Sequence, residues 1–209
     1  MSSSIDLDFP FAGRWLVRNS PADRVPSHGT TLFASSYAID FVPVDETGRT
    51  APITVGTLLR PEPPGRFPGF GRPILAPVDG VVVAAYDTAP DHPAYRGFPS
   101  IGYALNQRRR AAAGWPALAG NHVLIEHAGV LVALCHLRRE SVTVRPGCRV
   151  RRGDLLGRCG NSGNSTEPHV HVQAIDDPRV DQARAVPLTF EGSLPRNGEI
   201  VTTEDRPSL

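Results

Sequence analysis

The chain has 209 residues, of which 40% are hydrophobic, so it can bury a core within one domain and does not have the composition of a disordered chain. Its formal net charge is +1 and its pI is about 7.8, a balance of acids and bases that predicts no nucleic-acid partner. No apolar stretch approaches the ~20 residues that a membrane helix requires, so we expect no membrane span.

The first residues, MSSSIDLDFP, lack a basic segment followed by an apolar run, so no secretory signal is visible. We therefore expect a cytoplasmic protein, or a secreted one if the start has been assigned wrongly. The three cysteines, Cys135, Cys148 and Cys159, are odd in number and irregularly spaced. This pattern predicts free, partly buried thiols and not a disulfide framework.

The 20 glycines and 21 prolines favour short strands connected by turns. We expect tails at 1–13 and 193–209 around a single domain at 14–192. In the first half of this domain the predicted strands are 14–19, 37–44, 53–59 and the buried part of 74–86.

An Ala- and Arg-rich segment at 105–115 is the best helix candidate and belongs to an insert at about 88–118. A dense strand pattern follows the insert. The predicted strands are 121–127, 130–136, 141–144, 154–159, 169–175 and 186–190. Strands joined by such tight links are typical of a mostly antiparallel all-β barrel or sandwich.

Two of the seven histidines, His169 and His171, follow Pro168 and the polar loop 160–167. Residues i and i+2 of a strand point to the same face, so the two imidazoles can meet on one cation, or one can bind metal while its neighbour meets substrate. The alternative is a pair of surface histidines. A polar loop that leads into a strand often forms the rim of a site, which favours the functional interpretation.

His136 ends an apolar strand, and Asp40 lies in an otherwise apolar strand. A carboxylate among such neighbours is costly to bury unless it is paired or bound to a metal. Zinc accepts His nitrogen and Asp oxygen ligands, and its catalytic sites keep one position open for water. These residues therefore indicate a metal site built from three distant segments.

The three segments resemble the lysostaphin-like zinc endopeptidases, also called the LytM-type or Gly-Gly endopeptidase family. That family has a His-x-x-x-Asp motif, then a strand that ends in His-Leu, then a His-x-His strand. Asp40 matches the motif aspartate, His136 matches the second segment, and His169 and His171 match the third. The similarity runs over about 36–175 and implies a barrel-sandwich hybrid (the duplicated hybrid motif) with one short helical insert.

The resemblance implies a zinc-dependent metalloendopeptidase that binds one Zn²⁺ per chain and acts on peptide or peptidoglycan substrates. Asp40 and His171 would be zinc ligands, whereas His136 and His169 would orient or deprotonate the attacking water and stabilise the oxyanion. The metal would lower the pKa of that water and polarise the scissile carbonyl. Gln173 stands where the family often has Glu, which predicts different hydrogen bonding behind the ligands.

The first histidine of the family motif is replaced by Ser36 in this chain. A catalytic zinc usually has three protein ligands, so another residue must complete the set. We predict that His28 does so, if 28–36 folds back beside the Asp40 strand. Because Zn–N bonds are ~2.0–2.1 Å long, this requires the nitrogens of His28 to lie within about 6 Å of those of His171.

His122, Asn161 and Tyr37 are further candidates, for the substrate groove. Two other functions are compatible with the sequence: a degenerate, non-catalytic LytM-like binding or regulatory module, and a histidine phosphotransfer domain on a related hybrid fold. A lipoyl carrier is excluded because it needs an exposed lysine and the chain contains none.

Overall fold

The structure of the protein is a computed structural model that describes residues 4–52, 54–100 and 107–204. Within these residues, thirteen strands and three short α-helices are present. The strands are β1 (Ile5–Leu7), β2 (Gly13–Arg18), β3 (Ile39–Pro43), β4 (Pro73–Leu75), β5 (Gly80–Tyr86), β6 (Asn121–His127), β7 (Val130–Leu137), β8 (Arg149–Val150), β9 (Leu155–Arg158), β10 (Val170–Ile175), β11 (Ala185–Val186), β12 (Leu188–Phe190) and β13 (Ile200–Thr203). The helices are α1 (Val55–Leu59), α2 (Gln107–Ala112) and α3 (Trp115–Ala119).

Nine strands form one sheet in the order β13-β2-β3-β10-β7-β6-β5-β8, with β11 paired to β10. All pairings within this sheet are antiparallel, β4 and β9 form a second antiparallel pair, and β1 and β12 form a parallel pair. The expected all-β, mostly antiparallel fold is confirmed. Strand β10 lies in the middle of the large sheet, between β3 and β7.

The alternation of side chains along β3, β7 and β10 separates the main core from the other face of the sheet. The main core takes one set of alternate residues, such as Phe41, Leu134 and Val172. Asp40, Cys135 and His171 belong to the opposite set, because successive strand residues point to opposite faces. His171 is paired in register with Asp40 on β3 and with Cys135 on β7, so the three side chains are direct neighbours.

Two of the predicted strands are wrong. The 53–59 segment contains helix α1, because Thr54 and Thr57 form a reciprocal capping box that begins a helix. Residues 141–144 are not part of a strand. There the Asp87 carboxylate accepts hydrogen bonds from the backbone N–H groups of Ser141 and Val142, so these two donors are not available to a strand ladder.

The helix predicted at 105–115 is two short helices in the described part of the chain. Gly114 has φ 90°, a left-handed conformation that ends the run after α2 and lets α3 begin in a new direction. The first two residues of the predicted helix lie outside the described residues. The described part of the predicted helix is therefore helical, as expected, but in two short pieces.

The expected tails differ from the structure where it describes them. Residues 5–7 form β1, and Leu7 and Phe11 are buried in the main core. At the other end, β13 pairs with β2 along its whole length. In the first of these segments Ile5, Leu7, Phe9 and Phe11 alternate with other residues, a strand pattern that the expectation of a tail overlooked.

The cysteines are free, as predicted, with Cys135 and Cys159 buried and Cys148 half-buried. Burial raises the pKa of the Cys135 and Cys159 thiols, so both remain protonated at neutral pH. No helix in the described part of the chain has the length and apolar composition needed to cross a lipid bilayer.

Candidate metal centre

Asp40 is the centre of a cluster of histidines on the face of the sheet opposite the main core. Its side chain is buried, with Oδ1 2.9 Å from His171 Nδ1 and Oδ2 3.0 Å from His28 Nε2. One ligand atom from each of these three residues lies within 4.8 Å of the other two. This arrangement satisfies the distance condition for His28, which stays a predicted third ligand.

A short turn brings His28 to the cluster. The backbone N–H of Ser27 donates to the carbonyl of Ser36 at 3.0 Å, and the Ser27 hydroxyl donates to the carbonyl of Ser35 at 3.2 Å. These bonds hold the turn against the segment that precedes β3. His28 therefore projects from beside Ser36, the position where the family motif has its first histidine, and its ring centroid is 4.9 Å from that of His171.

Hydrogen bonds on the outer nitrogens orient both imidazoles. His28 Nδ1 is 3.0 Å from the Ser27 hydroxyl, which gives its own proton to a carbonyl and so accepts from the ring. His171 Nε2 is 2.9 Å from Gln173 Oε1, and the Gln173 amide nitrogen donates to the Phe33 carbonyl at 3.1 Å. That second bond fixes which end of the amide faces the ring, so His171 Nε2–H is the donor.

The inner nitrogens, His28 Nε2 and His171 Nδ1, then face Asp40 with their lone pairs. A lone pair at about 3 Å from a carboxylate oxygen is repulsive unless a positive group lies between them. Protonation of both rings is one way to supply that charge, and a divalent cation is the other. Two imidazole nitrogens, a carboxylate and anchored outer N–H groups form a donor set that zinc accepts.

His136 and His169 are anchored in the same manner. His136 Nδ1 donates to the Ser162 carbonyl at 2.9 Å, and His169 Nδ1 donates to the Glu167 carbonyl at 2.8 Å. Their Nε2 atoms are left for the centre, and His169 Nε2 is 3.8 Å from Asp40 Oδ1. The two ring centroids are 4.6 Å apart.

The backbone of His136 is also unusual, because its φ of 63° lies in the left-handed region. Non-glycine residues in this region are strained and cluster at functional sites. Here the conformation belongs to the next-to-last residue of β7, and it is the conformation in which the ring reaches the Ser162 carbonyl.

Burial and mutual charge set the protonation states. Burial opposes ionisation of Asp40, but charge at His28 and at His169 and hydrogen bonds from His171 and His28 hold its pKa well below 3.8. For His136, burial and the neighbouring charges of His169 and His171 lower the pKa well below 6.5. For His171, burial is outweighed by its hydrogen bond to Asp40 and by the charge of that carboxylate, so the pKa is raised. The centre thus combines an ionised carboxylate with a neutral His136.

The cluster opens into a cavity of about 360 Å³, a size typical of small-ligand sites. One part of the wall comes from the 28–35 segment and another from the insert, through Arg110, Trp115 and Leu118. The insert therefore lines the cavity. Asn164, in the polar loop expected to form a rim, also lies on the wall.

The three predicted groove residues differ from expectation, because the cavity wall as described includes none of them. His122 packs behind the wall, with its ring between Tyr86 and Trp115, and burial lowers its pKa. Asn161 is fully buried and donates to the His92 carbonyl at 2.8 Å, so it holds a loop in place. Tyr37 is half-buried outside the cavity. Strand alternation and the overlying helix α3 account for the position of His122.

Asn19 is a site residue that the sequence did not indicate. Its side-chain N–H donates to Asp40 Oδ2 at 2.7 Å, and it lines the cavity. It directly follows β2 and has φ 51°, which turns the side chain back over β3. An asparagine after a strand is an ordinary turn residue, and this turning back could not be seen in the sequence.

Replacing Gln173 with leucine is expected to weaken zinc binding by about 10- to 100-fold, because the acceptor that orients His171 would be lost. Competition with a chromogenic chelator measures the dissociation constant. Gln182→Leu is the matched control, since Gln182 is exposed and is not among the residues that line the cavity. An unchanged affinity in Gln173→Leu would show that the orientation of His171 does not depend on this amide.

Fold and site together define a class: an all-β protein with an Asp/His cluster, suited to one cation, in an open cavity. The model of Peptidase family M23 matches residues 103–182, a range that contains His136, His169 and His171, whereas His28 and Asp40 precede it. The resemblance inferred from the motifs is confirmed for this segment, which matches the model of Peptidase family M23.

Two similar curated proteins are peptidoglycan hydrolases by name. The chain is 32% identical over 78 residues to the peptidoglycan DD-endopeptidase ShyA of Vibrio cholerae, covering 37% of this chain and 18% of that protein. It is 28% identical over 89 residues to the glycyl-glycine endopeptidase ALE-1 of Staphylococcus capitis, covering 42% and 24%. The matched region is thus less than a quarter of the length of either relative.

Among solved structures, the catalytic domain of the prophage-encoded M23 protein EnpA from Enterococcus faecalis, crystallised as a point mutant, is similar with a TM-score of 0.42 and 18% sequence identity. The match covers 72% of this chain and 73% of that one.

Proposed function

We propose that the protein is a zinc-dependent metalloendopeptidase that hydrolyses peptide bonds in the peptide crosslinks of bacterial cell walls. The observation that carries this proposal is the convergence of His28 Nε2 and His171 Nδ1 on the Asp40 carboxylate, with both outer nitrogens already engaged. A site of this kind leaves a coordination position for water, as catalytic zinc sites do.

In the proposed mechanism, His28, Asp40 and His171 hold the metal. When bound there, zinc supplies a Lewis acid that lowers the pKa of water and polarises the scissile carbonyl. His169 accepts a proton from the attacking water at Nε2 and passes it to the leaving amine, while its Nδ1–H stays on the Glu167 carbonyl. His136 keeps its Nδ1–H on the Ser162 carbonyl and uses the unprotonated Nε2 as a hydrogen-bond acceptor that orients the attacking water.

The substrate class is taken from the relatives, whose names describe endopeptidases of peptidoglycan and of glycyl-glycine bonds. A cavity of about 360 Å³ that is open to solvent suits a short stretch of peptide inserted from outside. The match to the M23 model over 103–182 contains both proposed catalytic histidines and supports peptide hydrolysis.

Metal quantification and hydrolysis test the proposal together. The purified protein is expected to contain about one zinc per chain and to cleave soluble peptidoglycan peptides in a chelator-sensitive manner, whereas His171→Ala loses both properties. His127→Ala is the control, because His127 lies at the end of β6 and donates to the Asp79 carbonyl, outside the centre.

The other outcomes of this experiment identify the two competing functions. Zinc binding without hydrolysis would favour a non-catalytic LytM-like binding module. A protein without zinc that takes up phosphate on histidine from a phosphoryl donor would favour a phosphotransfer domain, and the metalloendopeptidase proposal would be wrong.

A further inference from the structure

The cavity contains a fixed cation beside the metal centre. Arg110, near the end of α2, lies on the wall, and its Nε–H donates to Asn164 Oδ1 at 2.7 Å. The backbone N–H of Asn164 in turn donates to the Leu118 carbonyl at 2.8 Å. A chain of two hydrogen bonds therefore ties the guanidinium plane to helix α3 and to the loop that precedes His169.

A bound metal ion would make the described part of the cavity wall positively charged. Apart from the histidines, the lining contains one acidic residue, Asp40, and one basic residue, Arg110. The Asp40 carboxylate lies 3.0 Å from His28 Nε2 and 2.9 Å from His171 Nδ1, so it belongs to the proposed metal ligands. A divalent cation would leave this cavity with a net positive charge, and a positively charged cavity attracts anions.

Apolar residues form part of the same wall. Trp115 and Leu118 from the same insert, and Leu32 and Phe33 from the opposite segment, contribute side chains to the lining. A charge-assisted hydrogen bond is stronger beside apolar side chains than in bulk water. The planar guanidinium also fits a carboxylate with two parallel N–H···O bonds.

We propose that Arg110 binds a carboxylate of the peptide substrate and so determines specificity: the enzyme prefers peptides with a free carboxylate close to the scissile bond. This inference rests on the proposed function, because it assigns the substrate of that same site. Small apolar residues next to the carboxylate would pack against Trp115 and Leu118.

The binding test compares one set of soluble peptidoglycan peptides in two forms, untreated and with the carboxylates converted to amides. Binding is followed by tryptophan fluorescence in the full chain carrying His169→Ala, so that hydrolysis does not interfere. The chain has two tryptophans: Trp15 is fully buried in the core, whereas Trp115 is on the cavity wall and reports occupancy.

We expect amidation of the peptides to weaken binding by about 10- to 100-fold, the range of a hydrogen bond to a charged group. Arg110→Gln should weaken binding of the untreated peptides by a similar factor and leave the amidated peptides unaffected. Arg110→Lys should give an intermediate loss, since it keeps the charge but not the planar fork. Arg145→Gln, an exposed arginine on the β7–β8 link, is the control and should change nothing.

Equal binding of both peptide forms, or equal loss of both in Arg110→Gln, would overturn the inference. The second result would assign Arg110 a purely structural role through Asn164, and it would be accompanied by a lower melting temperature. Because binding is measured separately from cleavage, a protein that never hydrolyses peptide but selects carboxylates through Arg110 would contradict the proposed function and not the inference.

Discussion

Replacing His28 with alanine is expected to remove stoichiometric zinc from the protein while the fold is retained. The variant would keep Asp40 and His171, two protein ligands where catalytic zinc sites usually have three. We expect a loss of affinity well beyond the ~10- to 100-fold typical of residues behind the ligands. Zinc content after dialysis against metal-free buffer, together with the melting temperature of the metal-free protein, measures the two parts of this expectation.

The family motif supplies a rescue experiment. The turn that contains His28 is hydrogen-bonded to the segment that contains Ser36. The side chain of a histidine at position 36 would therefore start close to the position that the His28 imidazole occupied. We expect His28→Ala combined with Ser36→His to recover zinc, with His127→Ala as the control that loses none. Retention of one zinc per chain in His28→Ala alone would contradict the assignment of His28 as a ligand.

The strand pattern of the sequence predicted most strands of the large sheet. Strand β6 has the predicted bounds, and β7 and β10 differ from theirs by one residue. Their alternation sets which side chains share a face, but His171 and Asp40 are neighbours because β10 pairs with β3, a long-range pairing that strand periodicity does not report. In these strands the local β propensity and the packing in the fold favour the same conformation, and such strands can be predicted from the sequence.

The features that escaped prediction depend on chain reversals. Asn19 reaches Asp40 through a left-handed residue after β2, and Arg110 reaches the cavity from a helical insert that bends at Gly114. The sequence predicts that His122 lines the substrate groove, because nothing in its strand shows that Trp115 packs against it. Hydrophobic periodicity indicates which face of a strand a residue occupies. It does not indicate which other segment packs against that face.

His28 lies between these two cases. Ser36 stands where the family motif has a histidine, so the sequence indicates that another residue must supply a ligand. His28 precedes Ser36 closely in the sequence and is therefore the candidate. The particular hydrogen bonds that close the turn, from Ser27 to Ser35 and Ser36, are not visible in the sequence. A missing ligand and a candidate to replace it can thus be predicted from the sequence, whereas the turn that brings His28 to Asp40 requires the fold.

Replacing His169 with alanine is expected to lower kcat by about 10²- to 10⁴-fold, the contribution typical of a general acid–base group. Zinc content should remain at one per chain, because the proposed ligand set of His28, Asp40 and His171 is intact. The effect differs in kind from that of His28→Ala, where metal and activity are lost together. Steady-state kinetics on soluble peptidoglycan peptides, with zinc measured on the same preparations, separate the two.

His136→Ala is expected to resemble His169→Ala, and the double variant should be little worse than either single one, since residues that act as a unit are not additive. The rings are 4.6 Å apart and each is fixed through Nδ1, so neither can take over the position of the other. If His169→Ala lost zinc along with activity, His169 would itself be a metal ligand. The centre would then have a different donor set, with His169 Nε2, 3.8 Å from Asp40 Oδ1, as its next member.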